Sequence, residues 1–540
     1  MLGIAIAASV PLMLWVARGT TFSIDALAWF MLAPGLDAET ALQPQAGHLI
    51  VTTRVVTWLL LESFGSSQLP FLLLTIATVA ALAAVFLAYA SRRVGPLVAL
   101  APALVLVFFG SDFDHVATAN GFAVLFPLVC GIGALLALER DDAAGDAIAC
   151  ALLCIAVATY TVGLVFVVAV AVLVLLADDR ALRWWVFALP LALYAAWWVW
   201  SLGSAGDAES QITLSNVLVA PAWAFRSLSA ALGALTGLDY DFGDEVSGVG
   251  PVLALLAIVA LVWRTTRGAV PRGLWATLAA ILVLWLMGAL AANIVRIPEA
   301  SRYLFPVVVG VLLVAAWALA GRPWSRGGLV LLYAVAAVAI AGNLAELRDR
   351  GSQLRTNHER LRAELTALEL AGPEADPELD PATVLEGSSL LRYPFGVLRE
   401  LGERPMERLA AAVERYGPVG FSIDELRGKQ EATRARADAF LVGALGIGLE
   451  PASSTGECLE VEAEPGAGVR FQLPPGADVT LEPRGGGGAV AARRFAGETG
   501  VELGRLESGQ AARLELPDDG LADGWQLSAP GTSLLVCEAA

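Results

Sequence analysis

LPFLLLTIATVAALAAVFLAYA, residues 69–90, carries no charged side chain, and Arg92 and Arg93 follow it at once. About 20 apolar residues wound as a helix rise about 30 Å, the thickness of a bilayer's hydrocarbon core. The stretch therefore predicts a membrane-spanning helix ending in a basic anchor. Ten further runs of this character lie at 2–17, 96–110, 121–138, 147–159, 161–177, 186–203, 248–263, 274–292, 303–320 and 328–343, giving about eleven spans. The run 147–177 is too long for one crossing and is broken at Thr159–Gly163, giving two short helices. The first run lacks a basic start and a small-residue cleavage site, so it is expected to be a span rather than a cleaved leader.

Composition agrees. Hydrophobic residues make up 57% of the 540, and mean hydropathy is +0.67. A soluble domain rarely reaches that fraction. The net charge of -17 sits mostly in the tail: 15 Arg face 19 Asp and Glu before Leu344, and 20 basic residues face 33 acidic ones from there on. No basic face is present, which excludes a nucleic-acid binder.

Arginine placement orients the spans. Alternate loops hold Arg92, Arg93, Arg140, Arg180, Arg183, Arg264, Arg267, Arg272, Arg322 and Arg326, against Arg18, Arg54, Arg226, Arg296 and Arg302 in the others. Ten against five predicts a cytoplasmic N-terminus and an outward C-terminal domain in a bacterial plasma membrane. The cysteines point the same way. Cys130, Cys150 and Cys154 lie in apolar runs, whereas Cys458 and Cys537 bracket the strand-rich tail and suit a disulfide in an oxidising compartment; two free thiols are the plainer alternative.

The tail divides further. Residues 344–370 continue the last span as a helix, a Pro- and acid-rich linker covers 371–382, and helices are predicted at 404–416 and 423–440. From Cys458 short alternating runs separated by Gly, Pro and Asp turns predict a small β-sandwich. The expected class is an α-helical polytopic bundle with a C-terminal extracytoplasmic α+β domain. Its expected divisions are 1–343 for the membrane domain, 344–455 for a helical connector and 456–540 for the sandwich.

Polar chemistry collects in the outer loops. The first, 18–68, has helical stretches near 23–33 and 48–64, the second amphipathic and suited to the interface. It runs Phe22-Ser-Ile-Asp25-Ala-Leu-Ala-Trp29, then Gln43-Pro-Gln-Ala-Gly47-His48, then an apolar helix to Phe64-Gly65. Ala119-Asn-Gly-Phe-Ala opens the fourth span and Ser301-Arg302-Tyr303-Leu-Phe-Pro the tenth. This order resembles the bacterial membrane-embedded glycosyltransferases of the GT-C class. In those an acidic residue follows the first span and a Gly-His or Glu-His pair precedes the next helix. The chain departs from the pattern where a second acid often stands: Ala26 follows Asp25.

The resemblance implies an inverting glycosyltransferase that moves a sugar from a polyprenyl-phosphate donor to a cell-envelope acceptor, with no covalently bound cofactor. Its implied partners are the bilayer, the lipid-linked sugar and an envelope glycan or lipid. Asp25 is then the general base, Arg302 the phosphate ligand, His48 a ligand of phosphate or acceptor, and Tyr303 a wall of the donor groove. Each has a plainer role: Asp25 complementing a helix dipole, His48 facing water, Arg302 anchoring a span at the headgroups. Asp112, Asp114 and His115 are weak metal candidates, because acidic loop residues are usually only solvated. The acidic run at Asp239, Asp241, Asp244 and Glu245 is expected to be a solvated loop. A non-catalytic assembly or lipid-binding protein on the same scaffold is the chief alternative. A transporter or flippase is third, since no span carries a central charge.

Overall fold

The structure is a computed structural model describing residues 1–177, 180–203, 213–238, 248–293, 296–372, 375–385, 388–453, 457–463, 468–518, 521, 523–529, 531 and 533–538. The acidic run at 239–245 lies outside these residues.

The chain forms two compact units. One holds Met1–Thr20 and Gly35–Arg355; the other holds Thr21–Pro34 and Thr356–Ala540. The first is a helical bundle. Eight of the described helices that lie in it or begin in it are long and apolar enough to cross a membrane, and four shorter apolar helices, Leu2–Val16, Ala143–Thr159, Gly163–Leu175 and Trp185–Ser201, join them. The chain is thus a multi-pass membrane protein. The apolar run 147–177 is two helices, Ala143–Thr159 and Gly163–Leu175, separated where Tyr160 is extended at φ -166°, ψ 152°. Gly163 is required there, because a Cβ on it would meet the Ala156 carbonyl at 2.4–2.6 Å.

The bundle's apolar side chains are sorted by neighbour. Gly121–Leu138 is mostly buried, and Phe86, Leu125 and Phe305 lie in one continuous core. Val249–Thr266 exposes Leu255, Leu256, Val259 and Val262 instead. In a membrane that face meets lipid tails, so exposure costs nothing there.

One segment differs from expectation. Residues 204–247 are expected as a loop, but Leu214–Thr236 is a 23-residue helix. Its amphipathic sequence with Pro221 and Arg226 obscured it. Asn216 donates to the Ala289, Leu290 and Ala292 carbonyls, and Ala234 accepts from Asn343. Asn343 also holds the Gly110–Ser111 turn, so the C-terminal end of this helix is tied to that turn.

The second unit begins with the Thr21–Pro34 segment. Its helix Ile24–Leu32 packs on Ser389–Glu400 and Pro405–Tyr416, with Phe30 6.1 Å from Tyr416. Buried His358 accepts the Thr21 amide, and the Thr21 hydroxyl donates to the Val419 carbonyl. The long helix Arg326–Ala371 supplies His358 and Glu369, and Glu369 takes the Val419 and Gly420 amides. The expected helix 423–440 is two, Ile423–Arg427 and Glu431–Ala444, interrupted at Gly428.

The strands are β1 (Glu450–Ala452), β2 (Cys458–Glu462), β3 (Val469–Leu473), β4 (Asp478–Arg484), β5 (Gly488–Arg493), β6 (Val501–Leu506), β7 (Ala511–Glu515), β8 (Trp525–Ala529) and β9 (Ser533–Glu538). They form two antiparallel sheets, ordered β1-β7-β4-β9-β2 and β3-β8-β5-β6. Sequence reading missed β1, β5 and β6, whose Pro, Gly, Ala and charged residues carry weak strand propensity, and the short run β8. Cys458 lies directly opposite Cys537 in the β2–β9 pair, and a disulfide joins them. Buried Asp438 ties helix to sheet by accepting the Arg494, Phe495 and Ala496 amides.

Candidate functional site

The break between Ala143–Thr159 and Gly163–Leu175 organises one end of the bundle. Thr161, just after it, is hydrogen-bonded to His48 Nδ1 at 2.7 Å, and the His48 ring lies 4.3 Å from the Tyr160 ring. Thr53 donates to the Thr159 carbonyl, which fixes the Val51–Phe64 helix to the same break. His48 is half-buried and sits outside the spans. Burial, helped by the charge of Arg296, lowers its pKa to about 4, so the ring is neutral near pH 7. The chain enters this helix through Ala46 at φ +49° and Gly47 at φ +77°. The first is an uncommon conformation for a residue with a Cβ.

Arg302 reaches the same place from the head of Ser301–Ala318. It is exposed, within electrostatic range of Tyr160 and Asp114, and 5.3 Å from the Tyr303 ring. Tyr303 is half-buried and packs edge-on to Trp223 at 6.1 Å. The Ser301 hydroxyl donates to Asp114. Behind it, Asp112 is fully buried and bonded to His115 Nδ1 at 2.8 Å, with its second oxygen unpaired among the described residues. Tyr160 therefore stacks near His48 and lies within electrostatic range of Arg302, although His48 and Arg302 are 254 positions apart. Nothing in the sequence marked Tyr160 except its place at the break.

Other motifs are explained by packing. Gly121 of Ala119-Asn-Gly is needed because a Cβ would stand 2.1 Å from the His115 carbonyl oxygen. Arg54 is buried and donates to the Thr40, Ala41 and Gln43 carbonyls, closing the end of the Ala38–Leu42 helix. Arg226 and Glu299 form a bidentate pair at 2.6 and 2.9 Å. Asp112, Asp114 and His115 are not gathered as three potential metal ligands, and no such group occurs among the described residues.

Asp25 belongs to the second unit. It is half-buried in the first turn of Ile24–Leu32 and accepts a hydrogen bond from the Tyr393 hydroxyl at 3.1 Å. Ile24 before it holds φ +50°, a strained conformation for a β-branched residue. Such strain often marks functional positions. Tyr393 is a partner that sequence reading missed, since 368 positions separate the two.

No family model matches the chain. No curated protein matches it. Among solved structures it is similar to the arabinosyltransferase EmbB of Mycobacterium smegmatis, determined by single-particle cryo-EM, at 13% identity and a TM-score of 0.32. The alignment covers 99% of this chain and 64% of that one, so the chain spans less than two thirds of its length. At that identity and score the likeness decides no chemistry. What stands is a multi-pass membrane protein: a helical bundle with a C-terminal domain of antiparallel strands.

Proposed function

We propose that the chain is a GT-C-type membrane glycosyltransferase that moves a sugar from a polyprenyl-phosphate donor to an envelope acceptor at the outer membrane face. The observation that carries this is the exposed Arg302 guanidinium at the head of Ser301–Ala318, 5.3 Å from the Tyr303 ring and within electrostatic range of Tyr160, whose ring lies 4.3 Å from that of neutral His48. A lipid-borne phosphate rests at the membrane boundary, where a guanidinium can take two of its oxygens.

The reaction is a single displacement. The acceptor oxygen attacks the anomeric carbon, the bond from that carbon to phosphate oxygen breaks, and the acceptor proton passes to a carboxylate. Arg302 stabilises the charge gathering on the leaving phosphate. Asp25 is the proposed base, by residue type, by its place after the first span and by the strain at Ile24. His48, neutral, accepts or donates one hydrogen bond to donor or acceptor. Tyr303 lines the donor's path. A non-catalytic lipid-binding role is the second reading, favoured by buried Ala26 beside Asp25 and by the Tyr393 bond to that carboxylate.

The test uses purified protein in nanodiscs with a panel of decaprenyl-phosphate sugars, reading release of decaprenyl phosphate. Asp25→Asn is expected to lower kcat by about 100-fold or more. Arg302→Gln is expected to raise the donor KM by about tenfold. Turnover unchanged in Asp25→Asn removes that residue from the mechanism; donor binding without any turnover selects the second reading.

A further inference from the structure

At the end of the bundle remote from Arg302 lies a cavity of about 1170 Å³. The Gly121–Leu138 and Ser301–Ala318 helices each run 18 residues from the Arg302 end toward it, about 27 Å at 1.5 Å per residue. Five separate loops meet there, contributing Arg92, Arg93, Glu139, Arg183, Arg272 and Gly321 among others. By sequence these loops carry ten arginines against six carboxylates.

The cavity wall is built, not merely basic. Arg93 is 6% exposed and lies between the Tyr89 and Trp317 rings, at 3.3 and 4.4 Å. Trp317 donates to the Tyr89 hydroxyl, and its indole sits against Gly273, where a Cβ would stand 2.0 Å from the ring. Glu139 takes both Arg92 and Arg93. The Arg93 Nε still meets no acceptor among the described residues, although it is buried. Arg183 is held by Asp141 and Asp146. Arg92 and Arg272 are the exposed members: Arg92 spends one Nη on Glu139, and Arg272 has one Nη on the Leu176 carbonyl.

Two half-satisfied guanidiniums beside a buried one with an orphaned N–H make a receptor for an anion with several acceptor oxygens. The same cavity is lined by Leu135, Leu173 and Val174, and Leu175 and Leu176 next to it are exposed. Polar head and apolar wall together fit an amphiphile. We propose that this vestibule binds the phosphate of an anionic lipid, a site separate from the one at Arg302.

The test is native mass spectrometry of the full chain, released from nanodiscs made with equal amounts of dioleoylphosphatidylglycerol and dioleoylphosphatidylcholine, with and without millimolar inorganic phosphate. One retained phosphatidylglycerol per chain, preferred about tenfold over phosphatidylcholine, is expected. Arg92→Gln/Arg272→Gln, both exposed positions, should abolish the preference with thermal stability kept; Arg302→Gln should leave it intact. Displacement of the lipid by phosphate assigns recognition to the phosphate alone, and persistence assigns it to head and tail together; both support the site. Equal retention of the two lipids, or a preference untouched by the double variant, overturns it. So does loss of the preference in Arg302→Gln.

Discussion

Replacing Asn343 with Leu tests how the bundle holds its candidate site. Asn343 is fully buried within the Arg326–Ala371 helix. Its carbonyl oxygen accepts from the Gly110 amide at 3.0 Å, the Ser111 amide at 3.3 Å and the Ser111 hydroxyl at 3.2 Å. Its amide nitrogen donates to the Ala234 carbonyl at 2.9 Å. The approach is close: a Cβ on Gly110 would stand 2.1 Å from the backbone carbonyl oxygen of Asn343, whereas the bonds above are made by its side-chain Oδ1. Leu fills similar space but orphans two backbone N–H groups, and the Ser111 hydroxyl can turn elsewhere. A polar contact between membrane helices averages about 0.6 kcal/mol, with about 1.7 as a maximum; an orphaned buried group costs about 1–3 kcal/mol. Two orphaned amides at about 1–3 kcal/mol each and one lost polar contact of about 0.6 give about 3–7 kcal/mol. Because the 110–112 turn carries Asp112, with Asp114 one turn on, the donor KM should rise as well. Equilibrium unfolding in mixed micelles measures the loss. Asn343→Asp, which keeps the acceptor and removes the donor, should fall between. A loss below about 0.5 kcal/mol for Asn343→Leu would refute the staple.

Three further outcomes follow from the titrating groups and the disulfide. His48 has a folded pKa of about 4 against 6.5 unfolded, so its share of stability is full above pH 6.5 and declines as pH falls toward 4; thermal melts of His48→Asn should lack that component. Glu431 is held at about 2 by the Gly497, Glu498 and Thr499 amides, so its stabilisation is present above about pH 4.5 and is lost as pH falls toward 2; Glu431→Gln should flatten that acid limb of the second unit's melt. Cys458→Ser/Cys537→Ser opens a loop of 79 residues and should cost about 2–4 kcal/mol, read as an earlier denaturant midpoint that reductant reproduces in the wild type.

Much of the architecture was legible because its causes are local. Uncharged runs such as 69–90 must form helices in lipid, since each backbone amide needs a partner within its own segment. The break in 147–177 followed from length alone. Alternation revealed β2, β3, β4, β7 and β9, while Gly488-Ala-Val-Ala-Ala-Arg493 was illegible because its strand is set by its neighbours β6 and β8. The helix Leu214–Thr236 escaped for a similar reason: its polar residues find partners far away in the chain, Asn216 at Ala289 and Arg226 at Glu299.

The candidate residues divide in the same way. Residue type and order singled out Asp25, His48, Arg302 and Tyr303, because charge beside a span is conspicuous in any apolar sequence. Which of them meet was not written locally. His48 meets Tyr160, and Arg302 falls within electrostatic range of that ring, through packing of distant helices, and Asp25 is placed with Tyr393 by a segment that folds with residues 356–540. Sequence thus determined the bundle, five of the strands and the types of group available. Tertiary structure alone decided the neighbours, because hydropathy and period act within a few turns of chain, whereas a hydrogen bond such as Tyr393 to Asp25 depends on surfaces formed hundreds of residues apart.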